Sequence, residues 1–92
     1  RGLLAGGEAS PDSNVIDYIT ISSPGNAADF GDLSLASRGS SGVSNATRGV
    51  IAIGNYPAIN TIDYITISMN SNASDFGDLD TSLLTMASTS GD

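Results

Sequence analysis

One seven-residue segment occurs twice in the chain: Ile16-Asp-Tyr-Ile-Thr-Ile-Ser22 returns unchanged as Ile62-Asp-Tyr-Ile-Thr-Ile-Ser68, 46 positions later. The same offset carries Asp29-Phe-Gly-Asp-Leu33 onto Asp75-Phe-Gly-Asp-Leu79 and Asn26-Ala27 onto Asn72-Ala73. Arg1-Gly2 matches Arg48-Gly49 at an offset of 47. The extra residue therefore falls between Glu8 and Asn14, whose shorter partner runs from Asn55 to Asn60, and length variation of that kind marks a loop. The chain divides into two repeats, about 1–47 and 48–92, and a period of this size points to a repeat architecture.

Each repeat reads as β-structure throughout. Gly2 to Ala5 and Gly49 to Ile53 are short apolar runs closed by Gly6-Gly7 and Gly54-Asn55, residues that reach positive φ and turn the chain. Val15 to Ser22 and Thr61 to Ser68 are rich in Ile, Thr and Tyr, which suit a pleated sheet. Alternate positions put Val15, Asp17, Ile19 and Ile21 on one face and Ile16, Tyr18, Thr20 and Ser22 on the other. Both faces carry apolar groups, so the sheet is expected to be covered on both sides. Third strands are expected at Phe30 to Leu35 and Phe76 to Leu79, after turns at 23–26 and 70–72, and a fourth near Ser41 to Asn45. No segment has the three-to-four spacing of a helix.

Composition narrows the function. The chain has 92 residues, no Cys and no His, so disulfides and Cys/His zinc sites are excluded as sources of stability. A core of this size is modest, which leaves association with other chains as the remaining support. Arg1, Arg38 and Arg48 are the only basic residues against ten acidic ones, a formal net charge of −7. Nucleic acid is a poor partner for such a chain, because binding it rests on neutralising phosphates with Lys and Arg. No apolar run approaches the roughly 18 residues of a membrane span, and no charged start precedes an apolar run as in a signal peptide. A start at Arg1 without Met is what a processed chain or a segment of a longer one would show. The acidic, Ser/Thr/Asn/Gly-rich, cysteine-free composition suits a virion or extracellular location.

Four short strands per repeat are the content of one propeller blade. The run Ser37-Arg38, Ser40-Ser41-Gly42-Val43, Gly49 to Gly54, Ile62-Asp63-Tyr64, then Phe76 and Leu79, resembles the kelch repeat. In that family an Arg precedes the innermost strand, a glycine pair ends the second, a Tyr sits in the third and an aromatic residue leads the fourth. Gly54-Asn55 departs from the glycine pair, and Phe30 and Phe76 stand where the family usually has Trp. The wording of the repeat is also similar to repeats of structural and tail-fibre proteins of cyanobacterial viruses. The resemblance implies two four-stranded blades of a kelch-like β-propeller, cut out of phase with the blade boundaries, with the ring closed by oligomerisation or by further repeats.

Several motifs have a chemical and a structural reading. Asp-Phe-Gly at 29–31 and 75–77 copies the magnesium-binding triplet of kinases, but the chain has no Lys for a kinase to use, and a strand-entry turn is expected instead. Asp75, Asp78 and Asp80 suggest a calcium loop or solvated turn caps, and the spacing is not that of an EF-hand. Without His, Lys or Cys no nucleophile has its usual base, and a carboxylate pair built from Asp29 or Asp75 would recur in every repeat. No enzyme, cofactor or metal is expected. Arg38 and Arg48 read as anion or glycan contacts, or as groups ordering blade junctions. Asn45-Ala-Thr47 and Asn72-Ala-Ser74 fit the N-glycosylation pattern by composition alone. The differing loops place Asn55 and Tyr56, with Pro57, on a rim, where a ligand site would lie.

The expected role is thus a non-enzymatic structural or receptor-recognition module of a viral or extracellular assembly. A carbohydrate-binding, lectin-like propeller with shallow pockets of Asn, Asp and Tyr is the alternative. Tyr18, Tyr64, Phe30 and Phe76 are expected to be buried at equivalent places. Leu79 to Asp92 aligns with Leu33 to Ala46, so Met86 to Ser90 is expected to be an innermost strand that pairs with Arg1 to Gly7 of the next copy or repeat. Head-to-tail pairing of two-bladed chains closes most simply as three chains making six blades. An open stack is the other outcome.

Overall fold

The alternating Ile, Thr, Tyr and Val segments all become strands in the computed structural model, which describes residues 1–7, 11–53 and 59–83. Those residues contain seven strands and no helix. They are β1 (Gly2–Gly7), β2 (Ser13–Ile19), β3 (Ala28–Ser37), β4 (Ser41–Ser44), β5 (Arg48–Ala52), β6 (Ile59–Thr66) and β7 (Ser74–Leu83). Each strand pairs antiparallel with its neighbour in sequence, giving one sheet of three strands, β1-β2-β3, and one of four, β4-β5-β6-β7. Neither sheet closes on itself. The expected strand near Met86 to Ser90 lies outside the described residues.

The two repeats fold alike down to their irregularities. Gly2 faces Ile19 in the first sheet as Gly49 faces Ile65 in the second. The β2–β3 register shifts between Ile16 and Asp17, and the β6–β7 register shifts between Ile62 and Asp63. Such a bulge re-aims the residues beside it, which is how an Asp in an Ile-rich strand is turned to a chosen partner.

Three local expectations need correction. Strands β2 and β6 stop at Ile19 and Thr66, earlier than composition implied, because the Thr20 and Thr66 carbonyls accept from Ser23 and Met69 N–H groups and turn the chain there. Asp-Phe-Gly is not a strand-entry turn: Asp29 and Asp75 lie inside β3 and β7, opposite Asp17 and Asp63 in the ladders. Gly6-Gly7 do take positive φ, 71° and 134°, but within β1 at a register shift, so the pair bulges the strand end.

The core lies between the sheets. Ile16, Phe30 and Leu33 of the first pack with Ile51, Ile53 and Ile65 of the second, flanked by Leu3, Ala5, Tyr18, Ile59, Ile67 and Ala73. Burial of this apolar surface is the main force holding one sheet on the other. Coverage on both sides is realised for neither central strand: β6 buries its Asp63 and Ile65 face while Tyr64 on the other face lies half-buried beside exposed Phe76, and β2 buries Ile16 but leaves its opposite face open. Ile65 is 3% exposed, whereas its repeat partner Ile19 is 37% exposed, with Val15 and Ile21 also open.

Candidate functional site: the junction between the sheets

The polar groups that repeat at fixed spacing converge where β3 of the first sheet meets β6 and the β6–β7 turn of the second. Asp63 is fully buried. Both of its carboxylate oxygens are used: Ser34 donates its backbone N–H to Oδ2 at 2.8 Å and its hydroxyl to Oδ1 at 2.8 Å. Pairing of this kind is required because an unpartnered buried carboxylate is strongly unfavourable.

Beside it the backbones lock directly. Ala73 N–H donates to the Asp32 carbonyl at 2.8 Å, and Asp32 N–H donates to Asn72 Oδ1 at 3.0 Å. This approach leaves no room for a side chain at Gly31, where a Cβ would collide with the Ser71 carbonyl and sit 2.9 Å from the Asn72 nitrogen. Glycine at 31 is thus a packing requirement. At the other end of the junction Arg1 lies over the Tyr18 ring, 4.3 Å from its centroid, and donates to the Ile67 carbonyl at 3.1 Å and Asn70 Oδ1 at 2.7 Å. Ser40 adds a hydrogen bond to the Ala5 carbonyl at 3.2 Å.

Each repeat also carries the same aromatic pair. Tyr18 meets Phe30 edge-to-face at 6.2 Å, and Tyr64 meets Phe76 at 6.1 Å. Their environments differ. Phe30 is 2% exposed because the second sheet covers it, whereas Phe76 is 53% exposed, so the expected burial of Phe76 is corrected. The two tyrosines are half-buried. Gly77, the counterpart of Gly31, has nothing within 4 Å of a built Cβ. Arg48 stacks over Tyr64 at 4.5 Å as Arg1 does over Tyr18.

The remaining candidates resolve by contact. Arg38 forms a two-pronged ion pair with Asp12, at 3.0 and 3.3 Å. Asn45 Oδ1 accepts from Thr47 N–H, Thr47 hydroxyl and Arg48 N–H, which makes it the cap of the β4–β5 turn. Asp75, Asp78 and Asp80 belong to no three-membered acidic group fit for a metal ion, and no such group exists among the described residues. Asn55 and Tyr56, with Pro57, lie outside the described residues. A cleft of about 460 Å³ opens between β1 and the β4–β5 hairpin. Leu3, Ala5, Val43, Val50 and Ile51 line it, and among the described residues Arg1 is the single ionisable one on its wall, with no Asn, Asp or Tyr.

Sequence reading alone did not single out Asp63 and Ser34. The available signal was an Asp on the otherwise apolar face of Val15, Ile19 and Ile21, a position that demands a donor once buried. No protein-family model, curated protein or solved structure matches this chain.

Proposed function

We propose that the chain is a non-enzymatic structural or receptor-recognition module of β-propeller type, each sheet forming one blade, at work in a viral or extracellular assembly. The observation that carries this reading is the junction itself. Strongly repeated side chains of the sequence, including the fully buried carboxylate of Asp63, are spent on holding sheet to sheet. A carboxylate with both oxygens committed to Ser34 is not available for acid or base work. The kelch-like spacing and the sequential antiparallel meanders support the same reading. In this role the chain joins head to tail with further copies, Met86 to Ser90 supplying an innermost strand to the free edge of β1 in the next chain. Three chains make a ring of six blades, within the range of about four to eight known for propellers.

Light scattering on the purified chain tests this, with a particle of three times the 9.2 kDa chain mass expected. A strictly monomeric chain at all concentrations overturns the assembly role. Saturable binding to a defined sugar on a glycan array would move the reading to a lectin.

A further inference from the structure

The internal junction has two halves, and the chain carries a second, uncovered copy of each. On β7 stand Phe76, Gly77, Asp78 and Leu79, identical to Phe30, Gly31, Asp32 and Leu33, with Arg48 stacked on Tyr64 behind them. On β2 and its following turn stand Asp17, Ile19, Ile21, Asn26 and Ala27, identical to Asp63, Ile65, Ile67, Asn72 and Ala73. Phe76 and Ile19 are exposed where Phe30 and Ile65 are buried, and a side chain at Gly77 would meet open space where one at Gly31 would strike backbone. Among the described residues of one chain nothing gives Gly77 a steric reason to be glycine. Gly77 acquires one if another turn like Ser71-Asn72 presses on it.

Four of the residues at the junction break the repeat: Ser71 is replaced by Gly25, which keeps its backbone carbonyl, and Ser40 by Met86, and the other two bear on the contacts of Arg1 and Asp63. Asn70 is replaced by Pro24, which removes one acceptor for the arginine but leaves the Ile21 carbonyl. Ser34 is replaced by Asp80. In the internal junction Ser34 gives two hydrogen bonds to Asp63; in a copy of that junction Asp80 would set a carboxylate against Asp17 in place of the hydroxyl donor. Facing like charges in a dehydrating contact oppose association.

Building on the head-to-tail reading, we propose that the β7 face of one chain takes the β2 face of a second copy through this same set of contacts, and that Asp80 keeps the contact weak and reversible. The backbone N–H of Asp80 still reaches Asp17, and the aromatic, glycine and arginine contacts are retained, so the contact forms but is held near balance. Each chain also carries a net charge of −7. Both repulsions are screened over a Debye length of about 10 Å at 0.1 M salt, so association strengthens with ionic strength.

Sedimentation velocity on the wild type, D80S and the double variant D80S/G77V tests the proposal at low and high salt. Serine at 80 restores the donor found at 34, and valine at 77 fills the space the partner's turn must enter. D80S is expected to associate about tenfold or more tightly than the wild type at low salt, with the gap narrowing at high salt. D80S/G77V is expected to be monomeric with an unchanged thermal transition, since a Cβ at Gly77 meets no described residue within 4 Å. If the wild type assembles and D80S assembles no more tightly, the role of Asp80 is overturned while head-to-tail assembly stands. If D80S stays monomeric up to its solubility limit, both fall. If D80S/G77V assembles as D80S does, the surface named here is the wrong one.

Discussion

Replacing Asp63 by alanine removes the acceptor for two Ser34 donors at 2.8 Å each and leaves a hollow beneath the second sheet. A hydrogen bond to a charged group contributes about 1.5–3 kcal/mol. Part of the loss is offset because the variant no longer buries a charge, so the net destabilisation is about 2–4 kcal/mol. Asp17 provides the control. It sits in the same seven-residue sequence, so strand propensity and local charge effects cancel, but it has no sheet against it. Asp17→Ala should change stability by no more than about 0.5 kcal/mol. Urea unfolding at concentrations where the chain is dissociated is the assay. With a slope of about 1 kcal/mol/M for a chain this small, Asp63→Ala should lower the midpoint by about 2 M or more. Asp63→Asn should be far milder, because its oxygen accepts from Ser34 N–H while its amide donates to the Ser34 hydroxyl. Equal effects of Asp63→Ala and Asp17→Ala would refute the reasoning, since the two sites differ only in the junction.

The same paired logic applies to the aromatic and glycine positions. Phe30→Ala should cost about 3–5 kcal/mol as a buried truncation, and Phe76→Ala less than about 1 kcal/mol in the dissociated chain; thermal melting of the two variants side by side checks both. Gly31→Ala drives a methyl into the Ser71 carbonyl and should destabilise by about 1–3 kcal/mol, while Gly77→Ala should be neutral within about 0.5 kcal/mol, again by urea titration.

How much was legible in the sequence follows from what each signal measures. Strand existence and order came from local composition, because Ile, Thr and Tyr at Ile16 to Ser22 favour a pleated backbone wherever it packs. Strand ends were less readable, since Thr20 and Thr66 close turns with their carbonyls, which residue type does not announce. Burial was the least readable quantity. Phe30 and Phe76, Ile65 and Ile19, and Asp63 and Asp17 are identical pairs in near-identical sequence, yet each splits into a buried and a more exposed member. Burial belongs to the neighbouring sheet and not to the segment. The donor to Asp63 was not legible either: the match between repeats ends at Leu33 and Leu79, and Ser34 and Asp80 open a stretch in which the following pairs differ too, so their difference becomes meaningful only once Ser34 is seen on Asp63.

The most direct measurement of a junction that forms within the chain and repeats between chains is amide hydrogen exchange at Ala73 and Ala27, followed as concentration rises. Ala73 N–H donates to the Asp32 carbonyl across the two sheets. Its amide should be protected at every concentration, whereas the Ala27 amide should exchange freely in the dilute chain and become protected as chains associate, when the Asp78 carbonyl of a second copy reaches it. An Ala73 amide that exchanges as fast as Ala27 in the dilute chain would contradict the internal junction. An Ala27 amide that stays unprotected in the assembled particle would contradict its repetition between chains.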